Sequence, residues 1–292
     1  MGNGMSNHIL FAGLSYCAQA MVEPLRAKGW RLSATARDAD KVRALSEQGI
    51  DAVLLTDDSI RDALSEVTHI LLSAPPDVVT GDPLYPVLSP AIKAMPKHIK
   101  WIGYLSTTGV YGDHAGAWID EDSPAGPMGA RGQRRVEAEE LWRSLGEETG
   151  CPTHFFRLPG IYGPGRNMVA TVRAGKARRI IKKGQVFSRI HVDDIAQTVI
   201  ASMYRPHAGR TYNVCDDLPT APADVVLYAA ELLGVAPPEA IAFEDADLSP
   251  MAQSFYAENK RLRNDRIKTE LGVELQYPTY KHGLKACLDG GD

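Results

Sequence analysis

The stretch Ile9-Leu10-Phe11-Ala12-Gly13-Leu14-Ser15-Tyr16-Cys17-Ala18-Gln19-Ala20-Met21 constrains the fold more than any other part of the chain. Its apolar start reads as a buried strand and Gly13 as a tight turn. Ala18, Met21, Val22 and Leu25 then recur at the i, i+3, i+4, i+7 spacing of one buried helix face. A strand that enters a helix through such a turn aims the helix's first N–H groups beyond the sheet, which suits a pyrophosphate. The glycine fingerprint of dinucleotide sites is Gly-x-Gly-x-x-Gly/Ala; here it is Gly13-x-Ser15-x-x-Ala18. Ala18 satisfies the third position, which needs only close helix–strand packing. Ser15 is small and brings a hydroxyl that can donate to phosphate. Gly13, Leu14, Ser15, Tyr16 and Cys17 are therefore candidate pyrophosphate contacts, with an ordinary strand-to-helix turn as the alternative.

Lys28-Gly29 stops the helix, and Trp30 to Ala36 reads as a second strand ending in Thr35-Ala36-Arg37-Asp38. Roughly 20 residues past the glycine turn, such a unit meets the adenosine ribose. An acid there suits the 2′-hydroxyl of NAD; an arginine suits the 2′-phosphate of NADP. Arg37 comes first, with Lys41 and Arg43 following, so the expected cofactor is NADP, with NAD the alternative. The bland reading makes Arg37 a solvated charge and Asp38 a helix cap. A strand at residues 49–55, a helix from Asp57 to Leu64 and a strand from Thr68 come next. That strand ends in Ser73-Ala74-Pro75-Pro76, where small residues leave room for a flat ring or a ribose. Ala74, Pro75 and Pro76 join the candidate cofactor contacts. A crossing helix over 83–95 continues the alternation. The fold class that follows is α/β, a Rossmann-type doubly wound parallel sheet with a small C-terminal α/β substrate lobe.

Composition narrows the function classes. The 292 residues are 44% hydrophobic and 23% charged with net charge -4, an ordinary globular profile that offers no basic surface for nucleic acid. Cys17, Cys151, Cys215 and Cys287 lack any paired metal spacing, so no metal site is expected and reduced thiols in a cytoplasmic protein are. No apolar run reaches the length of a membrane span, about 18–20 residues. Met1 to Asn7 is short and polar for a secretory leader. Met1-Gly2-Asn3-Gly4-Met5-Ser6 fits the loose myristoylation pattern, with a flexible extension as the alternative.

Lys100 to Gly112 is a buried strand running into hydroxyl residues. Ser106-Thr107-Thr108-Gly109-Val110-Tyr111-Gly112 resembles the Ser-Ser-x-x-Val-Tyr-Gly strand end of the extended short-chain dehydrogenase/reductases, the NAD-dependent epimerase/dehydratase group. Further segments resemble the same family in the same order: Arg157-Leu158-Pro159-Gly160-Ile161-Tyr162-Gly163, Arg189-Ile190-His191-Val192-Asp193-Asp194, Thr211-Tyr212-Asn213-Val214, and Tyr277-Pro278-Thr279-Tyr280-Lys281-His282-Gly283-Leu284. The resemblance implies that Thr107 is the catalytic hydroxyl that hydrogen-bonds the reacting substrate oxygen. It implies that Leu105, Pro159 and Gly160 lie beside the cofactor. In related enzymes the region of the basic cluster Lys176, Arg178, Arg179, Lys182 and Lys183 faces a sugar-nucleotide phosphate, so Arg166 and Arg179 are candidate contacts to a small-molecule substrate, with a run of surface charge as the equal alternative for the cluster.

One departure matters. The family's acid/base is the Tyr of Tyr-x-x-x-Lys, on the helix after this strand. The Lys lowers the Tyr pKa towards the working pH. That helix here is Gly129 to Trp142 and contains no Tyr. Counting back from Glu137 puts Gly129 and Gln133 at the two places; counting from Glu139 puts Arg131 and Arg135 there. Neither pair performs Tyr/Lys proton transfer, because a guanidinium stays protonated below about pH 12. Arg135 remains a candidate ribose or phosphate ligand, against a solvated helix face. Tyr111 and His191 are the tentative replacements for the missing acid/base, each with a structural role as the alternative. The acidic loop Asp120-Glu121-Asp122 resembles the family's substrate-serving loop, with a solvated loop as the equal alternative.

The expected organisation is a cofactor domain over 1–160 and a substrate lobe mostly over 161–292, interleaved because Thr153–Leu158 supplies a sheet strand. Two functions stand at this point. One is an NADP(H)-binding atypical oxidoreductase or nucleotide-sugar epimerase-like enzyme; the other is a catalytically silent dinucleotide-binding module. The family resemblance also implies a homodimer through the helices that flank the active-site strand.

Overall fold

Strands and helices alternate from the start. In chain order they are β1 (His8–Ala12), α1 (Tyr16–Gln19), α2 (Val22–Ala27), β2 (Arg31–Ala36), α3 (Ala39–Glu47), β3 (Asp51–Leu54), α4 (Asp57–Leu64), β4 (His69–Leu72), α5 (Tyr85–Ala94) and β5 (Trp101–Thr107). A 3-10 turn (Thr108–Val110), β6 (Trp118–Ile119), α6 (Ala130–Thr149), β7 (Thr153–Leu158), β8 (Gly160–Tyr162), α7 (Met168–Arg173), β9 (Arg179–Ile181), β10 (Arg189–His191) and α8 (Val192–Met203) follow. The chain ends with β11 (Thr211–Asn213), α9 (Pro222–Leu233), β12 (Ala240–Ala242), α10 (Pro250–Tyr256), β13 (Arg261–Leu262), α11 (Asp265–Leu271) and α12 (Tyr280–Asp289). This computed structural model describes residues 7–95, 97–207 and 209–291, so the myristoylation pattern at Met1–Ser6 lies outside the described residues.

Seven strands form one sheet in the order β11-β7-β5-β4-β1-β2-β3. The pairs β1–β2, β2–β3, β1–β4 and β4–β5 are parallel, with Leu10 opposite Ser33 on one side and Ile70 on the other. Buried apolar runs such as His8–Ala12 and His69–Leu72 are what a sheet covered on both faces requires. The chain winds from β1 out to β3, then crosses back to β4. That reversal opens a crevice beyond the carboxyl ends of β1 and β4, the position where doubly wound sheets bind ligands.

The helix expected after Gly13 is two short pieces, α1 and α2. Pro24 is the reason: it has no N–H to donate to the carbonyl of Ala20, and its ring crowds that carbonyl. The anticipated face survives the break, since Ala18, Met21, Val22 and Leu25 are all buried.

The chain divides into two compact units. One comprises Met1–Ser106, Gln133–Arg157 and Ala196–Tyr212; the other comprises Thr107–Gly132, Leu158–Ile195 and Asn213–Asp292. In the first, Leu10, Ile70, Leu72 and Ile102 of the sheet pack with Leu64, Leu88, Ile92, Trp142 and Leu145 of the helices. In the second, Tyr162, Val169, Val172, Val226, Ala229 and Leu284 form the core. No helix among the described residues is long and apolar enough to cross a membrane. All four cysteines are buried, and among the described residues none forms a disulfide.

A buried polar network sets the register of α6 on the sheet. Arg157 of β7 forms a two-point pair with Glu139 of α6, Nη2–Oε2 at 2.7 Å and Nε–Oε1 at 3.2 Å. The Ser106 hydroxyl of β5 donates to the same carboxylate. Removing one partner from a buried pair strands the other charge away from water. Glu139→Ala is therefore expected to lower unfolding free energy by about 3–5 kcal/mol, read by urea denaturation.

His69 opens β4 with its ring centroid 4.7 Å from that of Trp30 and 6.2 Å from that of Trp101. Burial pushes its pKa down from 6.5 to about 4, with Lys100 adding in the same direction. A histidine depressed in the folded state stabilises fully above its unfolded pKa and loses that contribution as pH falls through the folded value. Stability should thus drop by about 3 kcal/mol from this group between pH 6.5 and 4. Denaturation at stepped pH checks it: His69→Phe should flatten this part of the profile.

Candidate functional site

The turn after β1 is pinned to both neighbouring strands. The Gly13 N–H donates to Thr35 Oγ1 of β2 at 2.9 Å, and the Ser73 hydroxyl, just past β4, donates to the Gly13 carbonyl. Gly13 has φ +88°, and a Cβ there would lie 3.3 Å from Ser73 Oγ and 3.5 Å from Ala74 N. Both the conformation and the space therefore call for glycine. The spacing pattern identified Gly13 but missed Thr35 and Ser73. The available signal was a hydroxyl at or just past the end of each apolar strand flanking β1.

Ser15 acts first as a helix cap: its Oγ accepts from Ala18 N–H at 3.3 Å. Its own hydroxyl hydrogen is not used by that bond. The Leu14 and Ser15 N–H groups have no partner among the described residues. With α1 only four residues long, these local N–H groups, rather than a helix dipole, are what the turn offers an anion. Tyr16 is half-buried and Cys17 buried just after the turn. Ala74, Pro75 and Pro76 continue from Ser73 beside Gly13. This cradle fits a dinucleotide pyrophosphate.

At the end of β2, Asp38 is committed as the cap of α3, accepting from Lys41 N–H at 2.8 Å. Arg43 pairs with Asp40. Arg37 is exposed and has no ion pair among the described residues.

On α6, Glu139 points into the buried network, whereas Glu137 is exposed and accepts from Gln133. The inward glutamate favours the count that puts Arg131 and Arg135 at the two places. Arg135 donates to the Leu105 carbonyl at 2.5 Å and lies over the Tyr104 ring, 5.5 Å from its centroid. Part of its donor fork is thus spent on the strand itself. The Ser106–Glu139–Arg157 network was not anticipated. Its signal was Arg157, a charge set between Phe156 and Leu158 in an otherwise apolar strand.

In the second unit, Thr107 caps the 3-10 turn, accepting from Gly109 N–H at 3.2 Å, and is partly exposed. Its hydroxyl hydrogen remains available to a substrate oxygen. Neither tentative acid/base replacement suits the task. Tyr111 is 1% exposed and donates to Asn213 Oδ1 at 2.7 Å, so it is a packing residue. His191 is buried, its Nδ1 accepts from Asp193 N–H at 3.3 Å, and its ring sits 4.0 Å from Tyr277. Burial lowers its pKa, which keeps it neutral as the cap of α8. Tyr162 is buried and its phenol is pushed above its usual range by desolvation.

The acidic loop is also structural: Glu121 accepts from Asn213 N–H at 2.8 Å, and Asp122 pairs with Arg266 at 2.8 Å. Pro159 and Gly160 follow β7 with Gly160 exposed, and Arg166 is exposed in the loop before α7. Arg179 is half-buried on β9, and its Nε has no hydrogen-bond partner among the described residues. Its neighbours in the basic cluster hold the chain instead: Arg178 binds the Asp247 carbonyl and Lys182 the Tyr256 carbonyl. Among the described residues there is no cluster of His, Cys, Asp and Glu suited to a metal.

Residues 87–215 match the NAD dependent epimerase/dehydratase family. A conserved protein of unknown function from Silicibacter pomeroyi is 49% identical, covers 98% of this chain and 99% of its own, and superposes with a TM-score of 0.90. Protein YeeZ of Escherichia coli K12 is 29% identical over 282 residues, 92% of this chain and 96% of that one. The dTDP-glucose 4,6-dehydratase of Bacillus anthracis, solved in complex with NAD, shares the fold with a TM-score of 0.77. It is 18% identical, over 97% of this chain and 96% of that one. The segment 87–215 thus likens this chain to the NAD dependent epimerase/dehydratase family, and the chain shares its overall fold with the solved dehydratase.

Proposed function

We propose that this protein is an NADP(H)-dependent oxidoreductase or epimerase-like enzyme acting in the cytoplasm on a small molecule with a hydroxyl or carbonyl group. Sugar nucleotides belong on the substrate panel because a relative of the same fold acts on dTDP-glucose. The observation that carries the cofactor reading is the contrast between Arg37 and Asp38. The acid that would take a ribose 2′-hydroxyl is held as a helix cap, and the neighbouring arginine has no partner among the described residues. Guanidinium and phosphate match in charge and geometry. A bound nicotinamide supplies or accepts the hydride. Thr107 hydrogen-bonds the substrate oxygen, and in the absence of the usual tyrosine the proton exchanges with solvent. A homodimer through the helices flanking β5 belongs to the same reading; Leu141, 41% exposed on α6, is the apolar contact it would cover.

The second reading is a dinucleotide-binding module without turnover. Arg131 and Arg135 favour it, because neither replaces the proton chemistry of Tyr and Lys.

Fluorescence titration tests the cofactor. Arg37→Ala should weaken NADPH binding about 10- to 100-fold and leave NADH nearly unchanged, as expected for losing a charge-assisted contact of about 1.5–3 kcal/mol. Equal NADPH affinity in the variant would sink the 2′-phosphate assignment. Oxidation of NADPH with nucleotide sugars and small carbonyl compounds then separates enzyme from silent module. Thr107→Ala should cut kcat about 10- to 100-fold with NADPH affinity intact. No turnover by the unmodified protein across the panel would favour the silent module.

A further inference from the structure

Arg131 stands in the first turn of α6, at the place where the family carries its tyrosine. Gly132 beside it lets the helix start pack against the Thr107 turn. A Cβ at Gly132 would lie 2.8 Å from the Gly109 carbonyl oxygen and 2.7 Å from Pro127 Cβ. Gly109 is the residue whose N–H binds Thr107 Oγ1. The start of α6 and the turn bearing Thr107 are therefore one packed piece of the second unit.

The Arg131 guanidinium lies over the Phe255 ring, 5.8 Å from its centroid. Phe255 is 53% exposed on α10, and the next residue, Tyr256, anchors that helix against Phe187 and Phe243. A guanidinium resting on an aromatic face keeps its N–H edge for a ligand. Four acids of this unit are engaged elsewhere. Glu121 and Asp122 face Arg266, Asp113 accepts from Asn259 N–H, and Glu258 pairs with Lys260. Among the described residues Arg131 has no ion pair. It is an oriented cation without an ion pair, carried on a helix start that packs against the turn bearing Thr107.

We infer that Arg131 binds an oxyanion substituent of the substrate, a carboxylate or a phosphoryl group, while Thr107 holds the oxygen that is oxidised or reduced. Phe255 is a positioning residue that keeps the guanidinium in place. The inference rests on the oxidoreductase reading of the same site and narrows its substrate to an anionic carbonyl or hydroxyl compound. Arg131 contributes binding and orientation only.

Two matched pairs test this on the full chain: pyruvate against methyl pyruvate, and dihydroxyacetone phosphate against dihydroxyacetone. Binding is followed by ligand-observed NMR with and without NADPH, and NADPH oxidation is followed alongside. At least one charged member should bind about tenfold or more tightly than its neutral partner, and the pair that shows it tells carboxylate from phosphoryl. Arg131→Gln should bring that ratio close to one with NADPH affinity unchanged, and Arg131→Lys should keep part of it. Phe255→Ala should lower the ratio and Phe255→Tyr restore it. A ratio near one for both pairs in the unmodified protein, or a ratio unmoved by Arg131→Gln, overturns the inference. Failure to bind NADPH with the anion preference intact would instead overturn the cofactor reading alone.

Discussion

Two hydrogen bonds on one glycine hold the crevice of the sheet in shape. The Gly13 N–H is taken by Thr35 and its carbonyl by Ser73, so the turn after β1 is fastened to β2 on one side and to the end of β4 on the other. Glycine is required there, because φ is +88° and a side chain would press on Ser73 and Ala74. With the glycine's own groups occupied, the Leu14 and Ser15 N–H groups are what the turn presents. Pro24 breaks the following helix after one turn.

The chemistry turns on α6. In place of a tyrosine and a lysine whose coupling tunes a proton donor, the helix carries the two guanidiniums of Arg131 and Arg135. Arg135 is partly absorbed into the strand it faces, through the Leu105 carbonyl and the Tyr104 ring. Arg131 rests on Phe255 and keeps its edge. The helix that carries both is locked from below by Glu139, shared between Arg157 and Ser106. Tyr111 and His191, the nearest substitutes by position, are closed off by burial and by their hydrogen bonds to Asn213 and the Asp193 N–H.

Much of the frame was legible in the residues. The alternation of strands and helices, the glycine turn and the hydroxyl end of β5 follow from periodicity and from turn chemistry that acts over a few residues. Arg37 and Asp38 were readable as a pair, but which one was free for a ligand was not. That depended on the Asp38 carboxylate closing on Lys41 N–H. The ambiguity between Glu137 and Glu139 had the same character. Both lie on one helix two residues apart, and only packing shows that Glu139 turns inward to Arg157.

By itself, the sequence determined the strand-turn-helix start, the doubly wound class and the absence of the usual tyrosine, because each is carried by local spacing or residue identity. The tertiary structure decided which groups remain available. It joined Gly13 to Thr35 and Ser73, Glu139 to Arg157, and Arg131 to Phe255, residues separated by 18 to 124 positions. Partnership across such distances depends on which side chains the packed elements bring within hydrogen-bond or ring contact, and no period along the chain records it.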